Sequence, residues 1–356
     1  MRAVHIYRFF LVFVFVGTSH CAWADIKRTS TGKPDFSGVY DTGTLTPLNR
    51  PKEFGEHQFM TREQADELVK RSKAQFDFAN QDSDPNRGAP KKGGDGNNFA
   101  GAGNVGGYNS FWIDRGEEAF EIDGKFRTSI IYDPKNGRQP PRHPASLAKM
   151  AKVYGAFAHD NDGTASWLAH PGPGPFDGPE SLAPSERCLI SFGSTTPVLP
   201  SLYNNYKRVL QTDDNVMILQ EMVHDARIVR MNAEHGPAQN RKWMGDSVGH
   251  WEGDTLVVKT KHFKELSGLT GADENLEVEE RFNLLEDGNI RYNFTVTNLT
   301  AWTAPWSGEY VWQAKAEDKV FEYACHEGNY AMGNVLRGAR LLESEWEGPR
   351  AEEAGE

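Results

Sequence analysis

The chain predicts a mainly β fold, an antiparallel barrel or a sandwich, with an N-terminal extended arm and one or two short helices. Three observations carry this expectation. From Val209 onward, residues of opposite character alternate with period two. Leu256, Val258 and Thr260 alternate with Val257 and Lys259; Leu276, Val278, Glu280 and Phe282 alternate with Glu277, Glu279 and Arg281. Ile290, Tyr292, Phe294 and Val296 alternate with Arg291, Asn293, Thr295 and Thr297, and the turn formers of 286–289 (EDGN) join the last two runs as a hairpin. No strand–helix–strand rhythm accompanies them, which argues against a dinucleotide-binding sheet. Short strands joined by tight turns form a meander, and a meander buries its apolar face by curling into a barrel or pairing into a sandwich.

The N-terminus reads as a secretory leader over residues 1–24. Arg2 and Arg8 supply positive charge, residues 9–16 (FFLVFVFV) an apolar run, and Ala22-Trp23-Ala24 a small-x-small cleavage site. The run is far shorter than the roughly 20 residues that span a bilayer. His20 before Cys21 spoils a lipoprotein signal, so cleavage after Ala24 and export to the periplasm or beyond are expected, with no membrane span elsewhere. Cleavage removes two arginines and no acids, taking the formal charge from −11 to −13. An acidic chain without a basic block is a poor partner for nucleic acid or anionic lipid. The expected partner is a small molecule.

The rest divides into an arm and helix over 25–85, a glycine-dense linker or loop over 86–108, a β-rich domain over 109–345 and an acidic tail over 346–356. In the first part, Thr61 and Gln64 have capping-box spacing, and Ala65, Leu68, Val69 and Phe76 recur at helical intervals, which predicts a helix over 61–77. Gly38, Val39 and Tyr40 are the one early strand-like triplet. The glycine-dense stretch lacks the leading strand, following helix and Gly-Lys-Ser/Thr ending of a phosphate loop. Residues 111–113 (FWI) and 127–132 (RTSIIY) predict strands, 145–156 a short helix, and 158–187 a long loop of the kind that carries function.

Two blocks are dense in glycine, aromatic and ionisable residues. Residues 245–249 (GDSVG) fit the nucleophile-elbow pattern, but that elbow needs an apolar strand before Ser247 and a helix after it, and neither is present. The block reads instead as a glycine-rich turn leading to Trp251, an aromatic plug for one end of the β-structure, with a second turn at Glu252-Gly253-Asp254. The second block is 322–330 (EYACHEGNY). After leader cleavage Cys188 and Cys325 remain, and an exported protein with two cysteines is expected to join them. The alternative, a Cys325 nucleophile served by His326, suffers because adjacent side chains on an extended strand face opposite ways. His326 itself suits a general acid or base, with Glu327, Glu322 or Asp225 orienting it. Against this stands a structural role, with His326 and Glu327 satisfying buried turn amides at a strand end. His224, Arg227, His250, Trp251 and Trp306 are candidate substrate contacts, although Arg227 also suits an ion pair with Glu221, and Trp302, Trp306 and Trp312 also suit core packing. The histidines follow no metal-ligand spacing, so no metal and no cofactor are expected.

The blocks 34–40 (PDFSGVY), 108–116 (YNSFWIDRG), 127–138 (RTSIIYDPKNGR), 245–258 (GDSVGHWEGDTLVV), 278–282 (VEERF), 300–306 (TAWTAPW) and 322–330 together resemble a family of largely uncharacterised secreted bacterial proteins. The resemblance covers nearly the whole chain after the leader. It implies a β-rich, lipocalin-like fold and a secreted habit, and assigns no catalytic residues. Members follow the first cysteine with a Leu-Pro-x-Gly turn, whereas Cys188 here opens CLISFGSTTP, so the loop after it is expected to be reshaped. Two functional classes follow. One is a secreted non-redox enzyme (a hydrolase, lyase or isomerase) acting on a small organic or sugar-like molecule through His326 with Glu327 or Asp225. The other is a lipocalin-like periplasmic binding protein whose cavity holds a ligand without catalysis.

Overall fold

The computed structural model describes residues 26–82, 86, 88, 112–153, 162–191, 196–266 and 269–351. The leader, most of the glycine-dense stretch, Phe111 of the first expected strand and residues 352–356 of the tail lie outside them.

Nine strands close a barrel. In order around it they are β1 (Gly38–Asp41), β6 (Tyr206–Gln211), β7 (Asn215–Gln220), β8 (Ala226–Met231), β9 (Asp246–Glu252), β10 (Thr255–Lys261), β11 (Glu277–Leu284), β12 (Ile290–Thr297) and β13 (Trp306–Ala314). Closure comes from β13 pairing with β1 at Tyr40↔Ala314 and Asp41↔Gln313, which removes both free sheet edges. A further strand, β5 (Ile131–Asp133), adds to β13. β2 (Phe59–Met60), β3 (Glu121–Ile122) and β4 (Lys125–Arg127) form a separate small sheet.

The barrel is mixed, not wholly antiparallel. β8 and β9 run parallel, with Val229 opposite Ser247 and Met231 opposite Gly249, because the connection 232–245 carries the chain back before β9 begins. Period-two alternation is the same for either strand direction, so the sequence pattern is blind to this crossing.

Local sequence explains most other elements. The hairpin expected at 286–289 joins β11 to β12, closing on Leu284↔Ile290. The 245–254 block, expected as two turns, is strand β9 followed by a two-residue hairpin, with Glu252 opposite Thr255 and Gly253 at φ 62°. The run 127–132 is split: Arg127 ends β4 opposite Phe59, and Ile131 and Tyr132 begin β5. The first helix, α1 (Arg62–Ala79), opens with the expected reciprocal cap, in which the Gln64 amide donates to Thr61 Oγ1 at 3.3 Å and the Thr61 amide to Gln64 Oε1 at 2.9 Å. α2 (Pro144–Val153) lies where a short helix was expected.

The C-terminal block differs most. Cys325 sits at the start of a helical turn, α3 (Cys325–Gly328), and α4 (Tyr330–Ser344) follows, capped by Asn329 Oδ1 accepting from the Met332 amide at 3.2 Å. The block therefore does not end a strand. α4 buries Ala339 in a small cluster with Ala165 and Trp167.

Inward positions of successive strands fill the barrel with Val216, Ile218, Val229, Leu256, Val258, Phe282, Tyr292, Phe294, Trp306, Tyr310 and Trp312. Phe282, Tyr292 and Trp312 pack on one another in tilted and edge-to-face pairs with ring centroids 5.0–5.5 Å apart. Trp302, Trp306 and Trp312 are fully buried, so their role is packing.

Candidate functional site

The barrel interior also holds charge. Arg227 and Glu280 are both buried and form a two-pronged ion pair, Nη1 with Oε2 and, at 2.8 Å, Nη2 with Oε1. Tyr292 donates its hydroxyl to Glu280 Oε1 at 2.7 Å and accepts from the Val198 amide at 2.9 Å, while Tyr310 donates to the Val198 carbonyl at 3.1 Å. Burial alone would pull the Arg227 guanidinium down; the adjoining Glu280 carboxylate outweighs it, and the net direction is upward. Burial and the same carboxylate raise the Tyr292 hydroxyl well above its ordinary value. The segment 196–199 thus enters the barrel and is fastened there by two tyrosines. Its bonds plug the interior.

As the chain leaves this plug, Leu199, Pro200, Ser201 and Leu202 form one wall of a cleft of about 690 Å³. Leu68, Arg71 and Gln75 of α1 form another, and Thr44, Thr46, Leu48, Gln139, Arg142 and Leu269 complete it with Arg115. Asn205 ties the walls together: its Oδ1 accepts from the Ser201 amide at 2.7 Å, and its Nδ2 donates to the carbonyls of Asp114 at 2.8 Å and Ser201 at 3.1 Å. Arg142 lies over the Trp302 ring, 4.6 Å from its centroid, and donates to the Thr270 carbonyl at 2.8 Å. Gly271 is required beside it: at φ +83° a β-carbon would fall 1.4 Å from Arg142 Nη1.

The chemistry of this lining is one-sided. Among the described residues it presents three guanidiniums, two carboxamides, hydroxyls and aliphatic side chains, but no histidine, carboxylate, lysine or cysteine. Guanidinium stays protonated near neutral pH and cannot exchange a proton with a substrate. The cleft can hold a molecule with an apolar body and an anionic or hydrogen-bond-accepting group, and its described lining offers no acid–base pair.

The residues singled out in the sequence are spread over three regions. Cys188 and Cys325 are joined in a disulfide with Cα atoms 5.8 Å apart. That bond brings the C-terminal block beside the β7–β8 connection, where His224 Nδ1 donates to the Tyr323 carbonyl at 2.8 Å and Glu221 Oε1 accepts from the Phe321 amide at 3.2 Å. Asp225 accepts from the Ser191 amide at 2.9 Å, and burial raises its carboxyl despite that bond. His224, Asp225 and His326 therefore share one side of the molecule, but His326 and Glu327 are exposed on α3. Arg227, two positions from Asp225, faces inward to Glu280 rather than to Glu221. On β9, His250 Nε2 meets Glu252 Oε1 at 3.2 Å, and Trp251 stacks on Phe36 with centroids 5.9 Å apart. Trp306 is wholly in the core. None of these ten predicted residues lines the cleft.

The cleft residues gave little sequence signal. Arg71, Arg115 and Arg142 come from three separate segments, one of them the exposed face of a helix. No protein-family model matches the chain, and no curated protein matches it.

Proposed function

We propose that the protein is an exported, disulfide-bonded barrel that binds a small organic molecule with an apolar body and an anionic group, and does no chemistry on it. The cleft at the plugged barrel carries this reading, because it offers guanidiniums and aliphatic side chains and, among the described residues, no histidine, carboxylate, lysine or cysteine. Export is supported by the leader-like residues 1–24 and by the Cys188–Cys325 disulfide, a bond that persists in oxidising compartments. The enzyme reading has less support, since His326 and Glu327 stand in solvent away from the cleft.

A fluorescent probe of the right chemistry, anilinonaphthalene sulfonate, tests the proposal by titration. Binding to the untreated protein with a dissociation constant of about 1–100 µM is expected. A charge-assisted hydrogen bond contributes about 1.5–3 kcal/mol, so Arg115→Glu should weaken the complex at least ten-fold. Leu199→Trp, which fills the cleft, should do the same, and His326→Ala should leave binding unchanged. Unchanged binding in both cleft variants would overturn the assignment.

A further inference from the structure

A second constellation lies on the barrel wall, sharing no residue with the cleft. His235, Asp246 and His262 each present one ligand-type atom, and the three atoms lie within 4.8 Å of one another. The chain spacing gives no hint of this. Asp246 begins β9, His262 follows β10, and His235 belongs to the parallel crossing between β8 and β9, so the crossing itself assembles the set.

The cluster is held by backbone bonds. The Lys242 amide donates to the His262 carbonyl at 3.0 Å and the Lys264 amide to the Lys242 carbonyl at 2.9 Å, while Arg241 donates to the Phe263 and Glu274 carbonyls at 3.0 and 2.6 Å. His262 is fixed at φ 61°, a left-handed conformation unusual for a residue with a β-carbon. Its Nδ1 is buried with no hydrogen-bond partner. A buried ring nitrogen without a partner, on a residue clustered with a second imidazole and a carboxylate, calls for a ligand. His235 Nδ1 and Asp246 Oδ2 are 3.3 Å apart. Two ligands of one tetrahedral zinc are separated by about 3.4 Å.

We propose that His235, Asp246 and His262 bind a late first-row divalent cation, with zinc the reference case. Two imidazoles and one carboxylate select such ions over calcium or magnesium, which prefer all-oxygen sets. Three protein ligands leave a fourth position open, and a groove of about 380 Å³ lined by His235, Lys259, Glu279 and Thr295 gives solvent a way to it. The Gly236 amide, 2.9 Å from Asp246 Oδ2, orients the carboxylate as outer partners of metal ligands do. Arg230 and Lys242 also bond this carboxylate, at 2.7 and 3.0 Å, with side chains 40% and 61% exposed. The ion competes with them, and Lys242, the more exposed, swings into solvent when it binds.

That competition gives the proposal its diagnostic. Untagged, metal-stripped full-length protein is titrated with Zn²⁺ by calorimetry and with Co²⁺ by visible absorption. One equivalent is expected to bind, with d–d bands of a four-coordinate Co²⁺ ion. His235→Ala and His262→Gln should each weaken Zn²⁺ at least 100-fold, with near-ultraviolet circular dichroism confirming the fold. Lys242→Met removes no metal ligand, only the ion pair to Asp246, and should tighten binding about three-fold or more, the upper range of an exposed ion pair. Absence of binding at 100-µM-scale zinc, or binding that survives both histidine variants, overturns the proposal. So does Lys242→Met weakening the site.

Discussion

Replacing Arg227 by Met tests whether the charge inside the barrel belongs to the fold or to a ligand. Arg227 is 2% exposed and Glu280 0% exposed as side chains. Without the guanidinium, Glu280 keeps the Tyr292 hydroxyl at 2.7 Å and loses its balancing charge. Breaking a buried pair from one side costs about 3–5 kcal/mol. Replacing both partners by apolar residues of similar volume is nearly neutral by the same reasoning, apart from about 1 kcal/mol for the Tyr292 hydroxyl left with no acceptor. Guanidinium-induced unfolding of wild type, Arg227→Met, Glu280→Leu and the double variant closes a cycle; with each single loss at about 3–5 kcal/mol and the double near 1, a coupling energy of at least about 5 kcal/mol is expected between the two sites. The double variant should bind anilinonaphthalene sulfonate as wild type does. A loss under about 1 kcal/mol in Arg227→Met would show that the buried pair does not hold the barrel together. So would lost probe binding without lost stability, which would return Arg227 to the role of a ligand contact.

Burial pushes the Lys207 ammonium down from 10.5 to about 8, against the pull of Glu221 and Asp41. The unfolded chain then holds more protons between those values, so stability rises with pH across that window, by up to about 3 kcal/mol. Lys207→Met should flatten the rise in pH-dependent urea denaturation; an unchanged slope would show that another group causes it. Thr61→Ala removes the cap of α1 and should cost about 1 kcal/mol, and because α1 carries Leu68, Arg71 and Gln75 it should also weaken probe binding. Serine at Cys188 and Cys325 opens a loop of 137 residues. The loss should be about 2–5 kcal/mol in thermal unfolding, with hydrogen exchange rising first across 321–344; no change in exchange there would contradict the docking described.

The alternation of apolar and polar residues made β10, β11 and β12 legible, because half-buried strands must expose one face and bury the other. The helix α1 was legible because its cap is written in local residues, Thr61 and Gln64. The helix α4 was missed, although Val335, Leu336, Ala339 and Leu342 recur at helical spacing; the neighbouring Cys325-His326-Glu327 drew the reading toward a strand end. The strand β9 was hidden by its glycines. The cysteine pair was readable from the export context alone. The cleft was not, since its walls come from α1, the 44–48 segment and the plug at 196–202, and long-range convergence leaves no local pattern. The His235, Asp246 and His262 set was invisible for the same reason.

The cleft beside the 196–202 plug is the proposed ligand site. A crystal structure of the protein with anilinonaphthalene sulfonate tests it most directly. The rings should lie against Leu199 and Leu269, with the sulfonate within hydrogen-bonding distance of Arg115 or Arg142. A probe seated instead beside His224 and His326, with the cleft empty, would overturn the cleft as the ligand site and restore the case for acid–base chemistry at the C-terminal block.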